Sequence, residues 1–240
     1  EGAVMNCNAT GNVNGRGDNV GGLVGGNNYG IVEESSAIGA VNGNISIGGL
    51  VGINYGKVEN CFATGAVSGS IKIGGLIGYN GGKAVKCYAS GSVSGIGSKI
   101  GGFVGENRNG EVFRCYATGS VSGDHEIGGL VGFNRNSKVL GCYSIGRVIG
   151  ESELGGLIGE NRDGTVLASF WDNQTSGQST SYGGTGMNTT RMMTKKIFMD
   201  AYWDFVSIWN IIESSSYPYL RSFDYLNIIT SNDEVTYEDN

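Results

Sequence analysis

Apolar residues recur along this chain in columns set one long period apart, where an amphipathic helix would give 3.6 residues and a lone strand two. Val20, Ile47, Ile73, Ile100, Ile127 and Leu154 each stand directly before a Gly-Gly-Leu/Phe-Val/Ile-Gly block. The six blocks begin at Gly21, Gly48, Gly74, Gly101, Gly128 and Gly155, with spacings of 27, 26, 27, 27 and 27 residues. A second apolar column runs through Val4, Val32, Val58, Ala84, Val112, Val139 and Val166, and three residues further lies Cys7, Ser35, Cys61, Cys87, Cys115, Cys142 and Ser169. Two residues beyond that comes a small column, Ala9, Ala37, Ala63, Ala89, Ala117 and Ser144. A polar column follows each glycine block: Asn27, Asn54, Asn80, Asn107, Asn134 and Asn161.

A 27-residue unit cannot enclose a core alone, so each copy must bury its apolar columns against the next. The segments are short, rich in Val and Ile and punctuated by Gly and Asn, which favours strands over helices. The expectation is an all-β chain: a parallel β-solenoid of about six 26–27-residue coils, each with three short strands. The asparagines are expected to stack as an amide ladder at the spacing of parallel strands, about 4.8 Å. Gly30, Gly56, Gly82, Gly110 and Gly164, just past that ladder, are expected to supply positive φ at a corner, with Ser137 breaking the column.

The period ends near residue 171, and domain boundaries follow from composition: a solenoid over 1–171, a C-terminal module over 172–222 and an acidic tail or linker over 223–240. In the second segment Thr190 to Phe198 favours a helix, with Thr189 or Thr190 as N-cap. Trp203, Phe205, Trp209, Ile211, Tyr217, Tyr219 and Leu220 then supply large apolar area. An open solenoid end exposes unpaired edges and core, so this helix with its aromatic cluster is expected to cap it. The tail holds one β-prone run, Tyr225 to Thr230, and the acids Asp233, Glu234, Glu238 and Asp239, without the spacing of a calcium loop. The first fifteen residues already match the second half of a coil, as expected of a fragment.

Composition sharpens the picture without changing it. There are 45 glycines and one proline in 240 residues, and the glycines fall at fixed repeat positions instead of a collagen triplet. The five cysteines share one column in which serine also occurs, which argues for compact buried thiols over disulfide or metal chemistry. No metal or cofactor is expected. The net charge of −6 offers no nucleic-acid footprint, and no apolar run is long enough to span a membrane as a helix.

The blocks with their following asparagine, and the stretch Cys115 to Gly123 (Cys-Tyr-Ala-Thr-Gly-Ser-Val-Ser-Gly), resemble the GLUG repeats of bacterial and archaeal surface proteins. The resemblance covers residues 1 to about 171. It implies an extracellular or cell-surface, non-catalytic repeat module, of the kind found in adhesins, and it names no ligand.

The residues themselves point to few chemistries. The lone His125 lies in a polar turn, and no serine-hydrolase elbow, zinc-protease motif or phosphate loop occurs. Parallel β-helices can carry polysaccharide-degrading sites; Glu151 and Glu153, two apart on a strand, form the one candidate couple by spacing. For binding, the column Phe62, Tyr88, Tyr116, Tyr143 and Phe170 alternates with the inward Cys and Ala columns and is expected to form a stacked aromatic strip outside, suited to sugar rings or a protein. Arg108, Arg135 and Arg162 are expected to pair with Glu106, Glu160 and Asp163. Arg16-Gly17-Asp18 and four Asn-x-Ser/Thr acceptors (Asn8, Asn44, Asn173 and Asn188) are short enough to arise by chance. Three classes stay open: a structural or adhesive module whose partner is a surface glycan or host protein, a self-associating filament subunit, and a polysaccharide-degrading enzyme.

Overall fold

A computed structural model describes residues 2–224, so the β-prone run and the acidic tail from residue 225 onward lie outside the described residues. The chain divides into two compact units that meet in sequence at Met192 and Met193. The first is a parallel β-solenoid of about six coils. Each coil contributes five short strands, not three; one coil reads Lys57–Glu59, Phe62–Ala63, Val67–Gly69, Ile71–Gly74 and Ile77–Asn80. Equivalent strands pair in parallel into five sheets. The register follows the sequence columns: Val58 lies between Val32 and Ala84, Ile73 between Ile47 and Ile100, Asn80 between Asn54 and Asn107.

Residues in the left-handed region break what reads in sequence as continuous strand. One such column precedes the cysteines: Asn6, Glu34, Asn60, Lys86, Arg114, Gly141 and Ala168 have φ of 47–61°. A second left-handed column lies in or just before the strand that leads into each glycine block without splitting it: Asn19, Ser46, Lys72, Lys99, Glu126 and Glu153, with φ of 48–65°. Only Gly141 and the asparagines Asn6, Asn19 and Asn60 advertise the turn by residue type. The expected positive φ at Gly30, Gly56, Gly82, Gly110 and Gly164 is absent; glycine is needed there for close approach. A Cβ on Gly56 would lie 2.1 Å from the Gly30 carbonyl oxygen, and one on Gly82 2.1 Å from that of Gly56.

The glycine block separates two cores. Ile47, Ile73, Ile100 and Ile127, before the block, pack with Val41, Val67, Val93, Val121 and Val148 in a narrow core. The Leu/Phe and Val/Ile inside the block join the valine, cysteine and alanine columns in a larger one. Each fully buried Val, Ile or Leu contributes about 1.5–3 kcal/mol, and only stacking buries them. The asparagine ladder runs beside the larger core. Nδ2 of Asn27, Asn54, Asn80, Asn107 and Asn134 donates to Oδ1 of the next asparagine at 2.8–2.9 Å.

All five thiols are free, and their column does more than fill space. Cys61 Sγ donates to the Glu59 carbonyl at 3.1 Å, and Cys87 Sγ accepts the Cys61 amide at 3.3 Å. Ser35 and Ser169 make the same two bonds through oxygen, which explains why the column takes either residue. Burial pushes the Cys115 thiol well above its ordinary value, so it is held protonated and unreactive.

The solenoid's last edge is closed within the first unit, by residues 173–187. Val148 N donates to Ser176 O, Gly156 N to Thr180 O and Tyr182 N to Ile158 O, while Ser181 Oγ accepts the Leu157 and Ile158 amides. Strand Thr185–Met187 pairs with Phe170–Asp172. Trp171 takes the place of the alanine column in the larger core. The polar Ser/Thr/Gly stretch, the first part of the segment 172–222, therefore closes this edge with hydroxyls and backbone that satisfy unpaired strand groups. The expected single helix is two, α1 (Thr189–Met192) and α2 (Lys195–Asp200). Asn188 Oδ1, and neither threonine, accepts the Arg191 amide at 2.9 Å as the N-cap of α1. In the second unit Trp203 stacks on Trp209 at 4.4 Å and meets Phe198 at 4.9 Å, forming a small core of its own beside the antiparallel pair Trp209–Asn210 and Tyr219–Leu220.

Candidate functional site

The aromatic column stacks as its strand pairing requires. Ring centroids are 5.1 Å apart for Phe62–Tyr88, 5.1 Å for Tyr88–Tyr116 and 5.0 Å for Tyr116–Tyr143, with interplanar angles of 4–7°. Its predicted openness fails. Phe62 and Tyr88 are half-buried, and Tyr116, Tyr143 and Phe170 are buried. Burial also pushes the Tyr116 phenol far above its ordinary range. Most of this column is interior, and parallel rings at this spacing serve packing.

A second set of aromatics, missed in the sequence because it falls in no single column, is exposed. Tyr29 and Tyr55 are 73% and 42% exposed. Tyr29–Tyr55 centroids are 6.5 Å apart and Tyr55–Tyr79 centroids 5.6 Å. They line the corner just before and just after the asparagine ladder. Further along the same corner Gly81, Gly82, Lys83, Asn109, Gly110, Glu111, Asn136 and Lys138 border a shallow trough of about 240 Å³.

The left-handed residues Lys72, Lys99 and Glu126 face the strand residues Tyr79, Glu106, Phe133 and Glu160 and build a charged belt. Glu106 is buried, with Lys72 Nζ 3.0 Å and Lys99 Nζ 3.3 Å from its carboxylate. Lys99 also lies over the Phe133 ring at 4.5 Å. Glu106 is thus taken by lysines and not by Arg108; of the three arginines only Arg162 makes the expected pair, to Glu160 at 2.5 Å.

At the end of this belt two carboxyls meet. Burial, and then the hydrogen bond to Glu160, pushes Glu126 up to about 7 against the opposing pull of Lys99. Burial opposes ionisation of Glu160 as well, yet hydrogen bonds from Arg162 and Glu126 outweigh it and hold that carboxyl below its ordinary value. The pair shares one proton, carried by Glu126. Folded Glu126 keeps its proton above pH 4.5, the ordinary value, where the unfolded chain releases it. Its contribution is therefore full below that pH and lost as pH rises through about 7. With the group half exposed, solvent screening cuts the effect to about 1 kcal/mol. Glu126→Gln, permanently neutral, is expected to match the parent protein near pH 4 and to exceed its stability by about that amount at pH 8, measured by urea unfolding at both.

The proposed couple Glu151 and Glu153 is not gathered into a cleft. Both side chains are exposed; Glu153 accepts a hydrogen bond from Ser152, whose Oγ lies 2.8 Å from His125 Nδ1. No group of three His, Cys, Asp or Glu side chains among the described residues is placed to hold a metal ion. No helix of the described residues is long and apolar enough to cross a membrane. The tripeptide Arg16-Gly17-Asp18 is exposed, with Asp18 accepting a bond from Asn44 Nδ2 at 3.1 Å.

No curated protein and no solved structure matches the chain. The family described as the GLUG motif matches residues 43–68 and 97–122, each running from just before the strand that leads into one glycine block into the third strand of the following coil. The in-register repeats on both sides of these segments carry the same block and asparagine, and the chain carries GLUG-motif repeats.

Proposed function

We propose that this chain is a non-catalytic adhesive module of a secreted or cell-surface protein, whose flank binds a glycan or a protein on another surface. The observation that supports this reading is the repetition of exposed side chains in register, coil after coil. A period of 27 residues advances a stack by about 4.8 Å, about 0.18 Å per residue, whereas an extended proline-rich linker reaches about 3.1 Å per residue. As a means of gaining distance the fold is some seventeen times worse. What it supplies instead is a broad, stiff surface on which equivalent groups recur at one spacing, the arrangement that multivalent attachment to a polymer or a crowded surface uses. Likeness to the GLUG repeats of surface proteins supports the extracellular setting.

The test is binding of the purified chain to an array of glycans and immobilised surface proteins, with sedimentation at high concentration alongside. The expected result is saturable binding to one ligand class by a monodisperse protein, retained in Tyr88→Ser because the stacked column serves packing. A blank array with monodisperse protein would reduce the module to a passive stalk, and concentration-dependent end-to-end assembly would make it a filament subunit.

A further inference from the structure

Position by position, the corner past the asparagine ladder changes character along the stack. The residue after each ladder asparagine is Asn28, Tyr55, Gly81, Arg108, Arg135 and Arg162. In the coils with one extra corner residue, Tyr29, Asn109, Asn136 and Asp163 adopt φ of 49–64°, which turns the side chain away from the strand. Aromatic rings therefore occupy the first coils. In the middle coils Gly81, Gly82 and Gly110 leave a floor without side chains. A Cβ on Gly81 would lie 2.9 Å from the Tyr55 ring, so the tyrosine strip and the trough are continuous.

Charge gives the track a preference. Lys83 and Lys138 border the trough with one carboxylate, Glu111, which Lys83 approaches at 3.6 Å, and Arg108 and Arg135 directly precede its lining residues Asn109 and Asn136 in the chain. Arg108 and Arg135 are exposed, pair in register on adjacent strands, and have no ion-pair partner among the described residues. Two exposed guanidiniums carried by neighbouring strands gain from an anion placed between or beside them. Four positive groups against one negative, on a chain of net charge −6, make a local patch whose complement is an anion.

We propose that this corner binds an extended carboxylated polysaccharide lying along the stack axis. Tyr29, Tyr55 and Tyr79 contact the apolar faces of successive sugar rings, and Arg108 and Arg135, flanked by Lys83 and Lys138, hold carboxylates beyond them. The site rests on the adhesive reading above and gives it a location and a ligand chemistry. Three features select this occupant. The groups repeat once per coil, as rings and charges repeat along a polyuronate. The trough is shallow and continues into the strip, which suits a chain lying across it better than a small molecule needing enclosure. Guanidinium forks match carboxylates with two parallel bonds, while Glu111 in the middle of the patch repels a densely sulfated chain.

The experiment is titration of the full chain with polygalacturonate oligosaccharides, with heparin oligosaccharides and neutral dextran in parallel. Polygalacturonate is expected to bind, heparin at least tenfold more weakly, and dextran not measurably. The pair Tyr29→Asn and Tyr55→Ser is expected to lower affinity at least tenfold while leaving its salt dependence unchanged. The pair Arg108→Ser and Arg135→Ser is expected to lower it at least tenfold and to flatten that dependence, since counterion release no longer contributes. All four side chains are exposed, and circular dichroism should show unchanged melting. Absence of polygalacturonate binding, equal binding of dextran, preference for heparin, or indifference to both variant pairs would overturn the assignment. If the array still yields a ligand whose binding ignores these variants, the adhesive reading stands and this corner is not its site; a blank array removes both.

Discussion

Gly101→Ala is expected to abolish folding of the stack or to cost at least about 4 kcal/mol, the range reserved for severe core defects. Gly101 opens the glycine block of the fourth repeat. A Cβ there would lie 2.0 Å from the Val104 carbonyl oxygen of its own turn, and 2.7 Å and 2.8 Å from Gly132 N and Leu130 O of the next coil. All three are backbone atoms, so no side-chain rotamer relieves the overlap. Relief requires the turn to open and the coils to separate, which breaks the bonds that the Gly102, Phe103 and Val104 amides donate to Gly128 O and Leu130 O and opens both cores beside the block. The φ of Gly101 is ordinary, so the effect is one of space and not of backbone freedom. The control is Gly26→Ala, at an exposed position of the first repeat, where a Cβ would meet nothing within 4 Å. That variant should stay within about 0.5 kcal/mol of the parent protein. Chemical denaturation of both, followed by far-ultraviolet circular dichroism, separates the outcomes; a Gly101→Ala protein of parental stability would mean that the coils tolerate displacement.

The coil stack was legible because its causes are periodic. Val58, Ile73 and Asn80 each recur once per coil, and parallel in-register pairing is the one arrangement that places like on like. What misled was chemistry without a residue signature. Glu34, Lys86 and Arg114 adopt a conformation usually assigned to glycine or asparagine, so nothing in their identity announced that one apparent strand was two. The exposure of the aromatic column was inferred from strand alternation alone, which gives direction but not cover, and Tyr143 is 1% exposed. An open parallel edge first needs hydrogen-bonding groups, and Ser176, Thr180 and Ser181 supply them from a stretch whose sequence shows only that the period has ended. The corner track could be found only in three dimensions: Tyr55, Gly81 and Arg108 are equivalent in space and unlike in type.

Asn107→Ala is expected to cost about 3 kcal/mol, more than its loss of volume explains. Asn107 is fully buried and sits in the middle of the ladder, accepting from Asn80 Nδ2 at 2.9 Å and donating to Asn134 Oδ1 at 2.8 Å. Truncation therefore leaves one donor and one acceptor on its neighbours without their partner, each worth about 1–3 kcal/mol when buried; Asn80 Nδ2 keeps its bond to Gly82 O at 3.3 Å, which softens the loss on that side. Position in the ladder then becomes the test. Asn161 ends the ladder: it accepts from Asn134, donates to Gly164 O at 3.0 Å and is only part-buried. Asn161→Ala should cost less, about 1 kcal/mol, because only one neighbour loses its partner and water can replace it. The double variant of Asn107 and Asn134 should cost less than the two single variants added together, since the bond between them is counted in both. If instead the two costs add and the end variant is as damaging as the central one, the asparagines act as independent fillers, and the coils are held in register by backbone pairing and the apolar columns alone.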